Sequence, residues 1–291
     1  MKKGLCAAIL AVMLCSLLAP AFAETDAFDA DDSILRLVNK QHKITAKYKP
    51  ELVKPNVPTN RKDQAEYIYM RPEAAEALEK MFAAAKKKGY NLLAVSGYRS
   101  YQTQKANYER KVKETGPSQS TVAPPGASEH QLGLAMDLVC ESYRNLYTKY
   151  LLETEEFQWL YKNCYKYGFV VRYQTGWYRI TGFSVEAWHF RYLGVAHAAA
   201  LTWLNVPYET YVEKARELPD YVITDGNAYL LYGLMNSGLN LVDDGKAFNE
   251  MLEMPAKTKK QRQASIKAMT KKLLPEGVTL KYALSGKVKV K

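Results

Sequence analysis

The sequence predicts an α+β fold, on three observations. A helical pattern over Pro72–Lys88 passes within a few residues into the short apolar run Asn91–Ser96. Another, at about Thr154–Tyr167, stops at Gly168 and passes into Phe169-Val170-Val171-Arg172-Tyr173. Trp188–Tyr192 then alternates as a strand does, ahead of two further helices.

Taken in order, residues 24–66 are mixed and interrupted by Pro50, Pro55 and Pro58, and read as an arm laid over the domain. The first helix has Pro72 at its first position and Glu73 in its first turn. Ala74, Leu78, Met81, Phe82 and Ala85 form one face, and Lys86–Lys88 with Gly89 close it. The strand from Asn91 delivers Gly97-Tyr98-Arg99-Ser100 at its tip, and a second helix runs from about Tyr101 to Glu114, ending at Gly116-Pro117. Thr115–Ala127 is rich in Pro, Gly, Ser and Thr and reads as a loop. Helices at about Val195–Leu204 and Tyr208–Glu217 close this domain near Pro219. Residues 220–291 form a separate small appendage with a helical centre and a basic, hairpin-like end.

Residues 1–23 have the form of an export signal: Lys2 and Lys3, an apolar run from Leu5 to Leu18, and Ala21-Phe22-Ala23 as a cleavage site. The expected product is exported, to the periplasm, the wall or the medium, and carries no membrane span, because no later run reaches the roughly 18 apolar residues a helix needs. Leu14 before Cys15 argues against lipidation. Forty-one Lys and Arg against thirty Asp and Glu give the chain a net charge of +11. Residues 257–291 alone hold eleven basic residues against Glu276, so the domain is near neutral and the tail is basic. That tail suits anionic wall polymer or lipid head groups; nucleic acid is a poor partner for an exported chain. Beyond the signal only Cys140 and Cys164 remain, either bridged as the oxidising compartment invites or separately buried as thiols.

The chemistry lies in two stretches, Ser128-Glu129-His130-Gln131-Leu132-Gly133-Leu134-Ala135-Met136-Asp137 and Glu186-Ala187-Trp188-His189. His130, Asp137 and His189 are three ligands that leave a position open on one zinc ion, and Glu186 is a carboxylate free to move protons. His130 and Asp137, seven apart, would be separated by roughly 23 Å in an extended chain at about 3.3 Å per residue, so the chain must turn between them, at Gly133. Ala135 and Asp137 then share a strand face. Glu186 and His189, three apart, need a turn or bulge before Trp188 to reach one side; His189 and Arg191 share that face, with Trp188, Phe190 and Tyr192 in the core. A bound Zn²⁺ lowers the pKa of its water towards about 7, Glu186 takes the proton, and Arg99 faces the oxyanion or a substrate carboxylate. His42 and His197 belong to no motif and read as ordinary polar residues.

Ser96-Gly97-Tyr98-Arg99-Ser100, Ser128-x-His130-x-x-Gly133-x-Ala135-x-Asp137 and Glu186-x-Trp188-His189-Phe190-Arg191-Tyr192 together resemble the VanY-type zinc D-alanyl-D-alanine carboxypeptidases. The likeness covers about residues 35–217. It implies a compact fold shared with the hedgehog signalling domain, a small central antiparallel sheet flanked by helices, and removal of the terminal D-amino acid from peptidoglycan stem peptides. By position it implies His130, Asp137 and His189 as zinc ligands, Glu186 as base, Arg99 as the transition-state or carboxylate-binding arginine, and Ser128 and Gln104 as contacts of the substrate carboxylate. Ala187 stands where many members have proline, which loosens the turn without removing a chemical group. Other readings are a D,D-dipeptidase or endopeptidase, an L,D-carboxypeptidase, and a catalytically silent zinc module that binds wall or ligand. Retention of Glu186 and Arg99 argues against the last.

Overall fold

The computed structural model describes residues 28–61, 65–146, 148–217, 280–282 and 288–290. The signal segment, the proposed domain boundary near 219 and most of the appendage lie outside the described residues.

Helix α1 (Pro72–Lys87) buries Ala74, Leu78, Met81, Phe82 and Ala85, the face its periodicity predicts. Burial of a side chain such as Leu78, Met81 or Phe82 contributes about 1.5–3 kcal/mol. β1 (Leu92–Ser96) follows, and Ser100 caps α2 (Tyr101–Thr115) by accepting the Thr103 amide. After the long loop, residues Glu129–Leu132 make a 3₁₀ turn that ends at Gly133, and β2 (Ala135–Cys140) leaves from there. The single helix expected over 154–167 is instead α4 (Glu155–Asn163) and a 3₁₀ turn at Cys164–Tyr167; α3 (Thr148–Glu153) precedes it unforeseen. β3 (Phe169–Tyr173), the short α5 (Tyr178–Thr181), β4 (Glu186–Tyr192), α6 (Val195–Leu204) and α7 (Tyr208–Glu217) complete the unit. In the basic tail β5 (Leu280–Tyr282) pairs antiparallel with β6 (Val288–Val290), the hairpin expected there.

The sheet has the order β1-β2-β4-β3, every neighbour antiparallel. β2 and β4, the carriers of both motifs, are therefore central, with Asp137 directly opposite His189 and Ala135 opposite Arg191. One face packs on the helices: the Phe190 ring meets Phe157 and Tyr161 of α4 at 6.2 and 6.4 Å, and Trp188 and Tyr192 pack on the same core. The other face is polar and equally buried. The arm crosses the domain as foreseen, through single bridges Val53 to Met70 and Thr59 to Ala94.

The possible disulfide is absent. Cys140 and Cys164 are both buried free thiols. Cys140 ends β2 against Ser142 and Thr154, and Cys164 opens the 3₁₀ turn after α4, where burial pushes its thiol up to about 12.

Candidate metal centre and active site

Gly133 has φ +71°, a left-handed conformation that an L side chain adopts only with strain, and so it reverses the chain between His130 and β2. On β4 the second adjustment is a bulge: Val171 faces Phe190 while Tyr173 faces Glu186, so β4 spends four steps where β3 spends two. Both bends required by the ligand spacing are thus present.

They bring three donors together. His130 Nε2 stands 3.4 Å from Asp137 Oδ1, and His189 Nδ1 stands 3.0 Å from the same oxygen. All three ligand atoms lie within 4.8 Å of one another. Donors about 2.0–2.1 Å from a tetrahedral ion are roughly 3.3 Å apart, so the two distances to Asp137 suit neighbouring corners around zinc. The far nitrogens are engaged as a metal site requires: His130 Nδ1 donates to the Gly97 carbonyl at 2.7 Å and His189 Nε2 to Glu129 Oε2 at 3.1 Å. Each ring therefore turns its other nitrogen inward.

Burial and the nearby Arg99 charge lower His130 to about 4, which keeps it neutral. Burial also opposes charge on His189, but the hydrogen bonds it donates to Asp137 and Glu129 outweigh it and raise this ring to about 9. Asp137, which burial alone would raise, is held well below the carboxylate range by the two imidazoles. Glu186, 4.0 Å from His189 Nδ1, goes the other way: burial pushes it up to about 7, against the pull of His189 and Arg99.

His130, His189, Glu129 and Glu186 line a cavity of about 60 Å³, together with Arg99, Ser128, Tyr173, Phe183 and the strap Thr121–Ala123. The Arg99 guanidinium meets no carboxylate among the described residues, and its Nε is buried without a partner. Gln104 does not line the cavity. It is buried on α2, donates through Nε2 to the Ala123 carbonyl at 2.6 Å, and leaves its Oε1 unpartnered behind the strap. His197 and His42 pair with Tyr211 and Asn39, away from the site.

Comparison with known proteins accords with this geometry. Residues 67–195 match the model of the VanY family, described as D-alanyl-D-alanine carboxypeptidase. YodJ of Bacillus subtilis is 41% identical over 190 residues, which cover 64% of this chain and 70% of YodJ. The chain belongs to the VanY D-alanyl-D-alanine carboxypeptidase family. Among solved structures, this family member is similar to the LdcB LD-carboxypeptidase, described with its basis of peptidoglycan recognition (41% identity, TM-score 0.60, covering 63% of this chain and 87% of LdcB). It is also similar to a mutant of the vancomycin resistance D,D-pentapeptidase VanY in complex with Zn(II) (31% identity, TM-score 0.50, covering 60% of this chain and 97% of the other). As a VanY-family enzyme it is a zinc hydrolase, and the donor set at His130, Asp137 and His189 fits that ion.

One residue of consequence escaped the sequence reading. Glu129 sits inside the first motif, fully buried, accepting from His189, Arg172 and Arg191 at once. The arginines held the clue: Arg172 interrupts an otherwise apolar strand, Arg191 sits fully buried on the next one, and a fully buried guanidinium requires a buried carboxylate.

Proposed function

We propose that this enzyme is exported and removes the C-terminal D-alanine from peptidoglycan stem peptides, with zinc held by His130, Asp137 and His189. The observation that carries the reading is the convergence of those three donors beside a small cavity that His130 and His189 line together with Glu186. Zinc bound there supplies an activated water near neutral pH and polarises the scissile carbonyl. Glu186 accepts the proton of the attacking water and passes it to the leaving amine, a role that its pKa near 7 suits. Arg99, with no carboxylate partner among the described residues, meets the developing oxyanion or the substrate's terminal carboxylate. Ser128, on the cavity wall, contacts that carboxylate too. Gln104 reaches it once the Thr121–Ala123 strap moves, its free Oε1 lying directly behind. Export rests on the signal-like residues 1–23, and the basic residues 257–291 hold the enzyme to anionic wall polymer by charge.

The likeness to LdcB, the higher of the two structural similarities reported, favours a second reading of substrate length: cleavage of an L,D bond in a tetrapeptide rather than the D,D bond of a pentapeptide. Both reactions release D-alanine. Tri-, tetra- and pentapeptides incubated with the zinc-loaded enzyme, with products weighed by mass spectrometry, separate them. Release from the pentapeptide supports the first reading, release from the tetrapeptide alone supports the second, and no release from any peptide rejects both in favour of a silent zinc module.

A further inference from the structure

Behind the zinc ligands runs a buried line of charge. His189 Nε2 meets Glu129 Oε2 at 3.1 Å. Glu129 Oε1 accepts from Arg172 Nε at 2.8 Å and from Arg191 at 3.0 Å. Arg172 then grips Glu209 of α7 with both terminal nitrogens, at 3.0 and 2.6 Å. Asn39 of the arm donates to the same Glu209 at 3.2 Å. Both arginines lie near the Tyr208 ring, with centroid distances of 5.5 and 5.7 Å, and Tyr208 donates to the Leu35 carbonyl at 2.6 Å. Arg191 is pinned to the arm as well, through the carbonyls of Ile34 and Arg36.

Two carboxylates and two guanidiniums thus balance in a place shut off from water, and the balance determines how Glu129 acts. Paired with Glu209, Arg172 shares its charge between two acceptors, which leaves Glu129 negative enough to hold the His189 N–H and sharpen Nδ1 as a donor. Without Glu209, Arg172 would turn wholly on Glu129 and draw it from His189. Glu209 and Asn39 both lie outside residues 67–195, the stretch that matches the family model.

Building on the ligand assignment above, we infer that Glu209 is a positioning residue of the zinc site, acting through Arg172 and Glu129 on His189, so that α7 and the arm are parts of the metal centre. It touches neither metal nor substrate. The test is zinc affinity by chelator competition in the full chain, together with the visible spectrum of the cobalt-substituted protein. Partners of metal-binding histidines are worth about 10–100-fold in affinity. Glu129→Gln is expected to lose about that much; Glu209→Gln, one link further out, weakens zinc about five- to tenfold and shifts the cobalt bands. In the Glu129→Gln background the second change adds less than about twofold, because the route is already cut. Wild-type affinity and an unshifted spectrum in Glu209→Gln, or losses that multiply in the double variant, overturn the inference. Should Glu209→Gln not fold, Arg172→Lys carries the same prediction, keeping the charge but losing the fork that joins the carboxylates. If the His189→Ala variant keeps its zinc, the ligand assignment fails, a distinct result.

Discussion

Gly97→Ala joins the fold to the metal site in a single methyl group. Gly97 sits at the tip of β1, where its carbonyl accepts from His130 Nδ1 at 2.7 Å and its amide donates to the Tyr67 carbonyl at 2.6 Å. A Cβ there would stand 2.5 Å from the Tyr69 carbonyl oxygen and 2.8 Å from Met136 Cε. The methionine can swing aside, but backbone cannot, so the tip must retreat and take the Gly97 carbonyl with it. Overpacking of this kind costs about 1–3 kcal/mol, which for a unit of this size lowers Tm by about 2–12 °C at 2–4 °C per kcal/mol. Losing the carbonyl partner of a ligating histidine costs a further 10–100-fold, roughly, in metal affinity. Gly116→Ala is the control: its φ is +88° and ψ 166°, but nothing lies within 4 Å of the added Cβ, so it brings strain of about 1–3 kcal/mol and no change at the metal. Thermal melts of the metal-free proteins and zinc titrations against a chelator read both effects. If Gly97→Ala lowers Tm while zinc binds as tightly as in wild type, the carbonyl does not orient His130 and the reasoning fails.

Zinc binding should release protons at neutral pH. His189, raised to about 9, and Glu186, raised to about 7, are protonated below those values in the metal-free protein, whereas His130 at about 4 is not. Calorimetry in buffers of different ionisation enthalpy should show roughly one proton or more released at neutral pH, because His189 must give up its proton to bind; no release contradicts the assignment. Ser120 and Ser184 meet at 3.3 Å where the loops carrying the Thr121–Ala123 strap and Phe183 approach, and the cavity beneath holds only about 60 Å³. Ser120→Cys/Ser184→Cys should therefore be inactive when oxidised and recover fully with reductant, whereas activity in the cross-linked form would mean that substrate enters by another route. Thiol titration of the native protein should find Cys140 and Cys164 unreactive, and two free thiols should appear on unfolding without reductant.

The elements that positioned the site were legible because they rest on local chemistry. Proline at the start of α1, lysines and Gly89 at its end, and an apolar face between them specify that helix whatever packs on it. The two bends were legible for a different reason: ligands of one ion must meet, so seven residues from His130 to Asp137 and three from Glu186 to His189 demanded a reversal and a bulge. The break at Asn163 had no such signal, since Cys164-Tyr165-Lys166-Tyr167 carries no proline or glycine and tightens only as it feeds β3. The cysteines could not be paired or separated from spacing, because the distance between β2 and the end of α4 belongs to the tertiary fold. Glu129 was hidden for the same reason: its partners are 43 and 62 positions away, and only the sheet places them beside it.

The central claim is that zinc at His130, Asp137 and His189 works with Glu186 as its base. Glu186→Ala, measured for zinc content and for D-alanine release from a stem peptide that the wild-type enzyme cleaves, tests it most directly. The account predicts a full equivalent of zinc and no turnover. A variant that still releases D-alanine at the wild-type rate, or that loses its zinc along with its activity, contradicts it.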